Sequence, residues 1–156
     1  MYHVGDKIVY PMHGAGIIEG IETKEILGVQ REYYVFRTHG RMKVMIPIEK
    51  CEEIGVRDII EESQVDELME VLKAESTPMP TNWNRRYRAN MDKMKTGDIL
   101  QVAEVARNLY RVEREKSLSN GEKKMLVSAL QIMESELVLV KNISEEEAEK
   151  MICEVI

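Results

Sequence analysis

Thiols and long apolar runs are scarce in this chain, and each shortage excludes a class of protein. The only cysteines among its 156 residues are Cys51 and Cys153. They are far apart, with no histidine or second thiol at ligand spacing, so they form neither a disulfide framework nor a zinc motif. Free thiols of a reducing, intracellular compartment are the expectation. No apolar stretch approaches the ~20 residues of a membrane-spanning helix. The N-terminus, Met1 to Asp6, has neither a basic region nor an apolar one, which predicts no secretory signal. His3, His13 and His39 have no metal-ligand partners. Gly14-Ala15-Gly16 resembles part of a phosphate loop but lacks the Lys-Ser/Thr and long helix that would complete one. No nucleophile–base pair is visible, so neither an enzyme nor a cofactor is expected.

What is present is a globular composition, 44% apolar and 32% charged. The net charge of −6 hides an uneven distribution. Residues 1–72 carry 8 Lys/Arg against 14 Asp/Glu, residues 73–124 carry 12 against 7, and residues 125–156 carry 2 against 7. A basic island therefore lies between acidic flanks, a pattern suited to one face meeting a polyanion while the rest repels it.

The N-terminal third reads as short strands. Lys7-Ile8-Val9-Tyr10 is β-rich and stops at Pro11, Gly14-Ala15-Gly16 reads as a bend, and Ile17 to Thr23 continues as a second strand. Leu27-Gly28 marks a turn before the aromatic, β-branched run Glu32 to Arg37. His39-Gly40 is a hairpin signal, and Arg41 to Pro47 alternates polar and apolar residues. Strands this short with glycine at the bends predict a small SH3/Tudor-like β-barrel. The Arg41–Pro47 strand, holding Lys43 and Met45, carries the lysine and proline that exposed sheet edges tolerate, and such an edge can pair with a partner's strand.

Beyond Gly55 the apolar period changes to that of helices. Val65, Leu68, Met69 and Leu72 share a face of a helix beginning near Ser63, and Pro78 and Pro80 exclude helix from the linker that follows. Trp83, Tyr87, Met91 and Met94 form one stripe of a helix reaching about Lys95. Asp98, Ser119 and Ser144 are N-caps for three more, the last two as capping boxes with Glu122 and Glu147. The expected class is α+β: a small barrel followed by a compact all-α bundle, divided at Gly55.

The stretch Thr81-Asn82-Trp83-Asn84-Arg85-Arg86-Tyr87-Arg88 places the only tryptophan beside three arginines. An apolar wedge next to cations is the pairing that opens a base step while holding its phosphates. The plainer reading is a core tryptophan with solvated arginines beside it. A third, a protein–protein adaptor, would turn the same face to a protein groove. Lys123-Lys124 at a helix N-terminus runs against the helix dipole, which favours a phosphate contact for the pair.

Val4-Gly5-Asp6-Lys7-Ile8-Val9-Tyr10-Pro11-Met12-His13-Gly14-Ala15-Gly16 resembles the opening of the CarD/CdnL family of bacterial transcription regulators, shared with transcription-repair coupling factors. Pro80 to Asn90, Gly97-Asp98, Gln101 to Val105 and Leu118 to Lys123 resemble the family's helical domain, so the likeness runs through about residues 3–155. It implies a polymerase-interacting β domain over 1–55 and a helical DNA-binding domain over 56–156. Lys24, Ile26, Lys43 and Met45 would face the RNA polymerase β subunit, Met45 standing where relatives carry arginine. Trp83 would enter the minor groove at the upstream edge of the melted promoter, with Arg85, Arg86, Arg88, Lys123 and Lys124 on phosphates. The resemblance further implies a cytoplasmic, nucleoid-associated monomer that stabilises the open promoter complex, with sigma factor as an additional partner and no membrane contact.

Overall fold

The computed structural model describes residues 1–38 and 41–156. The hairpin signal at His39-Gly40 falls outside them. Five antiparallel strands, β1 (Lys7–Tyr10), β2 (Gly14–Ile26), β3 (Val29–Thr38), β4 (Lys43–Pro47) and β5 (Arg57–Asp58), lie in the order β4-β3-β2-β1-β5. A short helix, α1 (Cys51–Ile54), precedes β5, and α2 (Val65–Lys73), α3 (Trp83–Lys95), α4 (Ile99–Glu115), α5 (Asn120–Lys141) and α6 (Glu145–Val155) follow. The class is α+β, as the change of period predicts. No helix among the described residues is long and apolar enough to cross a membrane.

Gly14 to Gly16 belongs to β2 and is not a bend between strands. The glycines there answer to crowding. A Cβ on Gly16 would sit 2.1 Å from the Arg37 carbonyl oxygen and 2.6 Å from the Phe36 ring. The sheet turns instead at a bulge between Ile18 and Gly20. Leu27 and Gly28, both at positive φ (53° and 77°), close the β2–β3 hairpin. Ile8, Ile18, Tyr34, Phe36 and Ile46 fill the small core on the inner face of the sheet.

The helices enclose a second, larger core that includes Leu68, Leu72, Met94, Leu109, Met133, Leu137 and Ile152. Their ends follow the sequence. Asn82 accepts from Arg85 N, Asp98 from Leu100 N and Ser119 from Glu122 N, while Ser144 and Glu147 form a complete capping box. The box expected at Ser119 is only half formed, because the Glu122 carboxylate turns to Arg86 instead.

Helix α5 joins the two cores. Ser135 Oγ accepts the Ala15 N–H at 2.9 Å and donates to the Ile132 carbonyl at 2.6 Å. One residue on, the fully buried Glu136 holds Arg57 through two hydrogen bonds of 2.8 Å and accepts the Ile60 N–H at 2.8 Å. Arg57 also donates to the Gly97 carbonyl at 3.0 Å, and Gly97 packs against Pro11. The sheet thus runs past Gly55, since Arg57 and Asp58 pair with Val9 and Ile8.

Candidate functional site

Two surfaces carry the residues that the sequence singles out. The first is the outer face of the sheet. Strand register sets Lys24 opposite Arg31 and Ile26 opposite Val29, and across the other edge of β3 it sets Met45 opposite Val35 and Lys43 opposite Arg37. Side chains alternate faces along a strand, so Lys24, Ile26, Lys43 and Met45 share one face. Arg31 and Tyr33 lie on that face between them. The alternation of β3 encodes their placement, although the motif reading passes over both. Strand β4 is an edge of the sheet, and the apolar residues at the hairpin end, Ile26, Leu27 and Val29, are 53%, 98% and 52% exposed.

The second surface is built where the first turns of α3 and α5 meet. The two prolines keep the chain extended up to Asn82, whose side chain starts α3, so Trp83 occupies the first helical position. The stripe that begins there runs from outside to inside: Trp83 is 43% exposed, Tyr87 and Met91 are intermediate, and Met94 is 1% exposed. Tyr87 stacks on the indole with ring centroids 5.3 Å apart and planes 20° from parallel. The indole N–H donates to Ser119 Oγ at 2.8 Å.

Arg85 and Arg88 are exposed on α3, and Lys123 and Lys124 are exposed on the first turn of α5. Among the described residues none of these four forms an ion pair, and the packing of α3 on α5 brings them to the same end of the bundle as the indole. Arg86 does not join them. Its guanidinium makes two 2.7 Å bonds to Glu122, which is 1% exposed. Burial alone would raise the Glu122 carboxyl, but the Arg86 pair and the Ser119 hydroxyl outweigh it and hold the group below the ordinary carboxylate range. A shallow groove of about 320 Å³ runs from Trp83 along Tyr87, Arg88 and Met91 to Lys95, a cation that the sequence motif leaves out.

Arg107 and Arg111, also in the basic third, face inward. Arg107 is 3% exposed and donates to the Val71 carbonyl and to Asn108, while Arg111 reaches Ser76 and the Leu72 carbonyl. They hold the linker and the end of α2 against α4. Part of the island's charge is therefore structural, and Arg85, Arg88, Lys123 and Lys124 are among its outward part.

The description CarD-like/TRCF RID domain matches residues 2–60, and CarD, C-terminal domain, matches residues 67–153. The chain belongs to the CarD family. It is 43% identical over 148 residues, 94% of this chain and 97% of the relative, to "Putative transcription factor YdeB" of Bacillus subtilis (strain 168). It is 35% identical over 51 residues to the transcription-repair-coupling factor of the same organism, covering 33% of this chain and 4% of that protein. The solution structure of the 72-residue N-terminal domain of Myxococcus xanthus CarD is 34% identical, covers 37% of this chain and 79% of that one, and superposes with a TM-score of 0.33. The family is one of transcription factors and not of enzymes, and its N-terminal module is an RNA polymerase-interacting domain.

Proposed function

We propose that the protein holds the RNA polymerase β subunit with the outer face and β4 edge of its sheet, and sets Trp83 into the minor groove at the upstream edge of the melted promoter. The wedge slows closure of the bubble and so stabilises the open complex. The observation that carries this reading is a half-exposed indole, held by Ser119, at the same end of the bundle as four cations that have no ion-pair partner among the described residues. Main-chain pairing at β4 asks little of the side chains, so Met45 is compatible with it. The protein would act as a monomer at the nucleoid, with sigma factor within reach.

The energetics suit a tethered wedge. Four phosphate contacts bind DNA weakly, each lowering log K by ~0.9 per decade of salt. Attachment to polymerase raises the local DNA concentration to about millimolar, so weak contacts suffice. A preference for the open state of ~1.4 kcal/mol changes its population tenfold.

Trp83→Ala tests the reading. Polymerase binding and folding should persist while the effect on open-complex lifetime disappears; an unchanged lifetime would exclude the wedge. A lifetime insensitive to charge reversal at Arg85 and Arg88 would point instead to a protein groove as the partner of this face.

A further inference from the structure

The indole of Trp83 has one hydrogen-bond donor, and the protein already uses it. Ser119 Oγ accepts that N–H at 2.8 Å, accepts the Glu122 backbone N–H at 3.3 Å and donates its own proton to Glu122 Oε1 at 3.1 Å. A hydroxyl has one donor and two acceptor sites, so all three are filled. Glu122 is in turn fixed by Arg86 through both oxygens. A Cβ on Gly121 would stand 3.5 Å from Trp83 Cζ2 and 4.0 Å from Cη2, so the edge of the ring that carries the N–H lies against α5. Tyr87 covers one ring face. The residue is still 43% exposed, so part of its carbon surface remains open to solvent.

We propose that Ser119, anchored by the Glu122–Arg86 pair, is a positioning residue that sets the angle of the indole and withholds its N–H from any ligand, so that the surface offered to a DNA base step is carbon alone. This rests on Trp83 being the DNA-contacting wedge. In the minor groove, A·T and T·A pairs present adenine N3 and thymine O2 as acceptors. A ring with no free donor cannot bond to them. Its choice of step then follows the ease of unstacking, which favours pyrimidine–purine steps, and not the pattern of acceptors.

The test uses the full chain and its single tryptophan as reporter. Ser119→Ala should raise collisional quenching of Trp83 emission and lower its anisotropy, and Ser119→Thr should restore both. Threonine also restores the cap of α5, so Ser119→Gly separates the two roles: glycine caps nearly as well but has no hydroxyl, and it should loosen the indole as alanine does. Trp83→Phe keeps a ring but has no donor, so Ser119→Ala should shorten open-complex lifetime less in that background than beside Trp83. On polymerase–promoter complexes, replacing adenine by 3-deazaadenine at the contacted step should change the wild-type effect by less than about twofold, whereas a lost hydrogen bond would cost about fivefold. Emission indistinguishable between wild type and Ser119→Ala, or a fivefold loss on 3-deazaadenine, overturns the proposal. If Trp83→Ala leaves promoters unaffected, the DNA reading fails, and the emission experiment still decides whether Ser119 positions the ring.

Discussion

Arg57 and Glu136 meet through two hydrogen bonds of 2.8 Å, and the carboxylate side of the pair is 1% exposed. One residue comes from the last strand of the sheet and the other from the middle of α5, so this pair ties the two cores together. Removing Arg57 strands the Glu136 carboxylate in a dry site, a loss of ~3–5 kcal/mol, whereas removing the Glu136 charge leaves an arginine still 29% exposed and costs less. Arg57→Ala should lower the melting temperature by ~6–20 °C for a chain of this size, and Glu136→Gln by less. The Arg57→Ala/Glu136→Gln double variant should lose less than the sum of the two single losses, and denaturant unfolding of all three variants measures the coupling.

The outward cations should register in the salt dependence of DNA binding. Arg85→Ala with Arg88→Ala should flatten the plot of log K against log salt by ~1.8, about 0.9 for each lost phosphate contact. Arg86→Ala, which breaks a buried pair, should act mainly on stability and leave the slope nearly unchanged. Titrating polymerase-bound promoter DNA at several salt concentrations separates the two effects.

Glu134 faces the cleft between sheet and bundle, and burial, then Glu149 and Glu145, push its carboxyl up to about 7. A carboxyl whose pKa is raised on folding binds more protons in the folded state than in the unfolded one between the ordinary value of 4.5 and about 7. Stability through that window therefore falls as pH rises, and the cost is complete above it. Glu134→Gln should flatten this decline and add ~1 kcal/mol at pH 8, a figure discounted because the side chain is partly open to water. Glu104 acts in the opposite sense. Burial would raise it, but hydrogen bonds from Lys93 and Thr77 hold it low, so its contribution is lost on acidification below the ordinary range. Melting temperatures from pH 3 to 8 check both.

Gly14 sits at φ +92°, and a Cβ there would lie 2.7 Å from Ser135 Oγ. Gly14→Ala should cost ~2 kcal/mol or more from backbone strain and overpacking combined. Ser135→Ala should not rescue it, because the strain remains and the Ala15 N–H loses its acceptor. Unfolding of the single and double variants by denaturant measures this.

Much of this architecture was legible because it is written in local rules. The stripe from Trp83 to Met94, the caps at Asp98, Ser119 and Ser144 and the alternation along β4 each follow from a few neighbouring residues. What local pattern does not encode is partnership across the chain. Glu122 reads as a capping-box residue, yet its carboxylate serves Arg86 on another helix. Arg57 and Glu136 are 79 residues apart, and nothing in either neighbourhood announces the other. Gly16 reads as a hinge because glycine is common in bends, whereas here it makes room for Phe36 and the Arg37 carbonyl.

Helix α5 runs unbroken from Gly121 and Glu122, beneath the indole, to Ser135 and Glu136, against the sheet. Fourteen residues separate the two carboxylates, a rise of about 21 Å. The helix therefore works as a ruler and a protractor at once. Deleting one residue within it would shorten the reach by only ~1.5 Å but twist one end against the other by ~100°. The separation between grip and ring can then change only in near-whole turns, and orientation, more than distance, is what the length of this helix preserves.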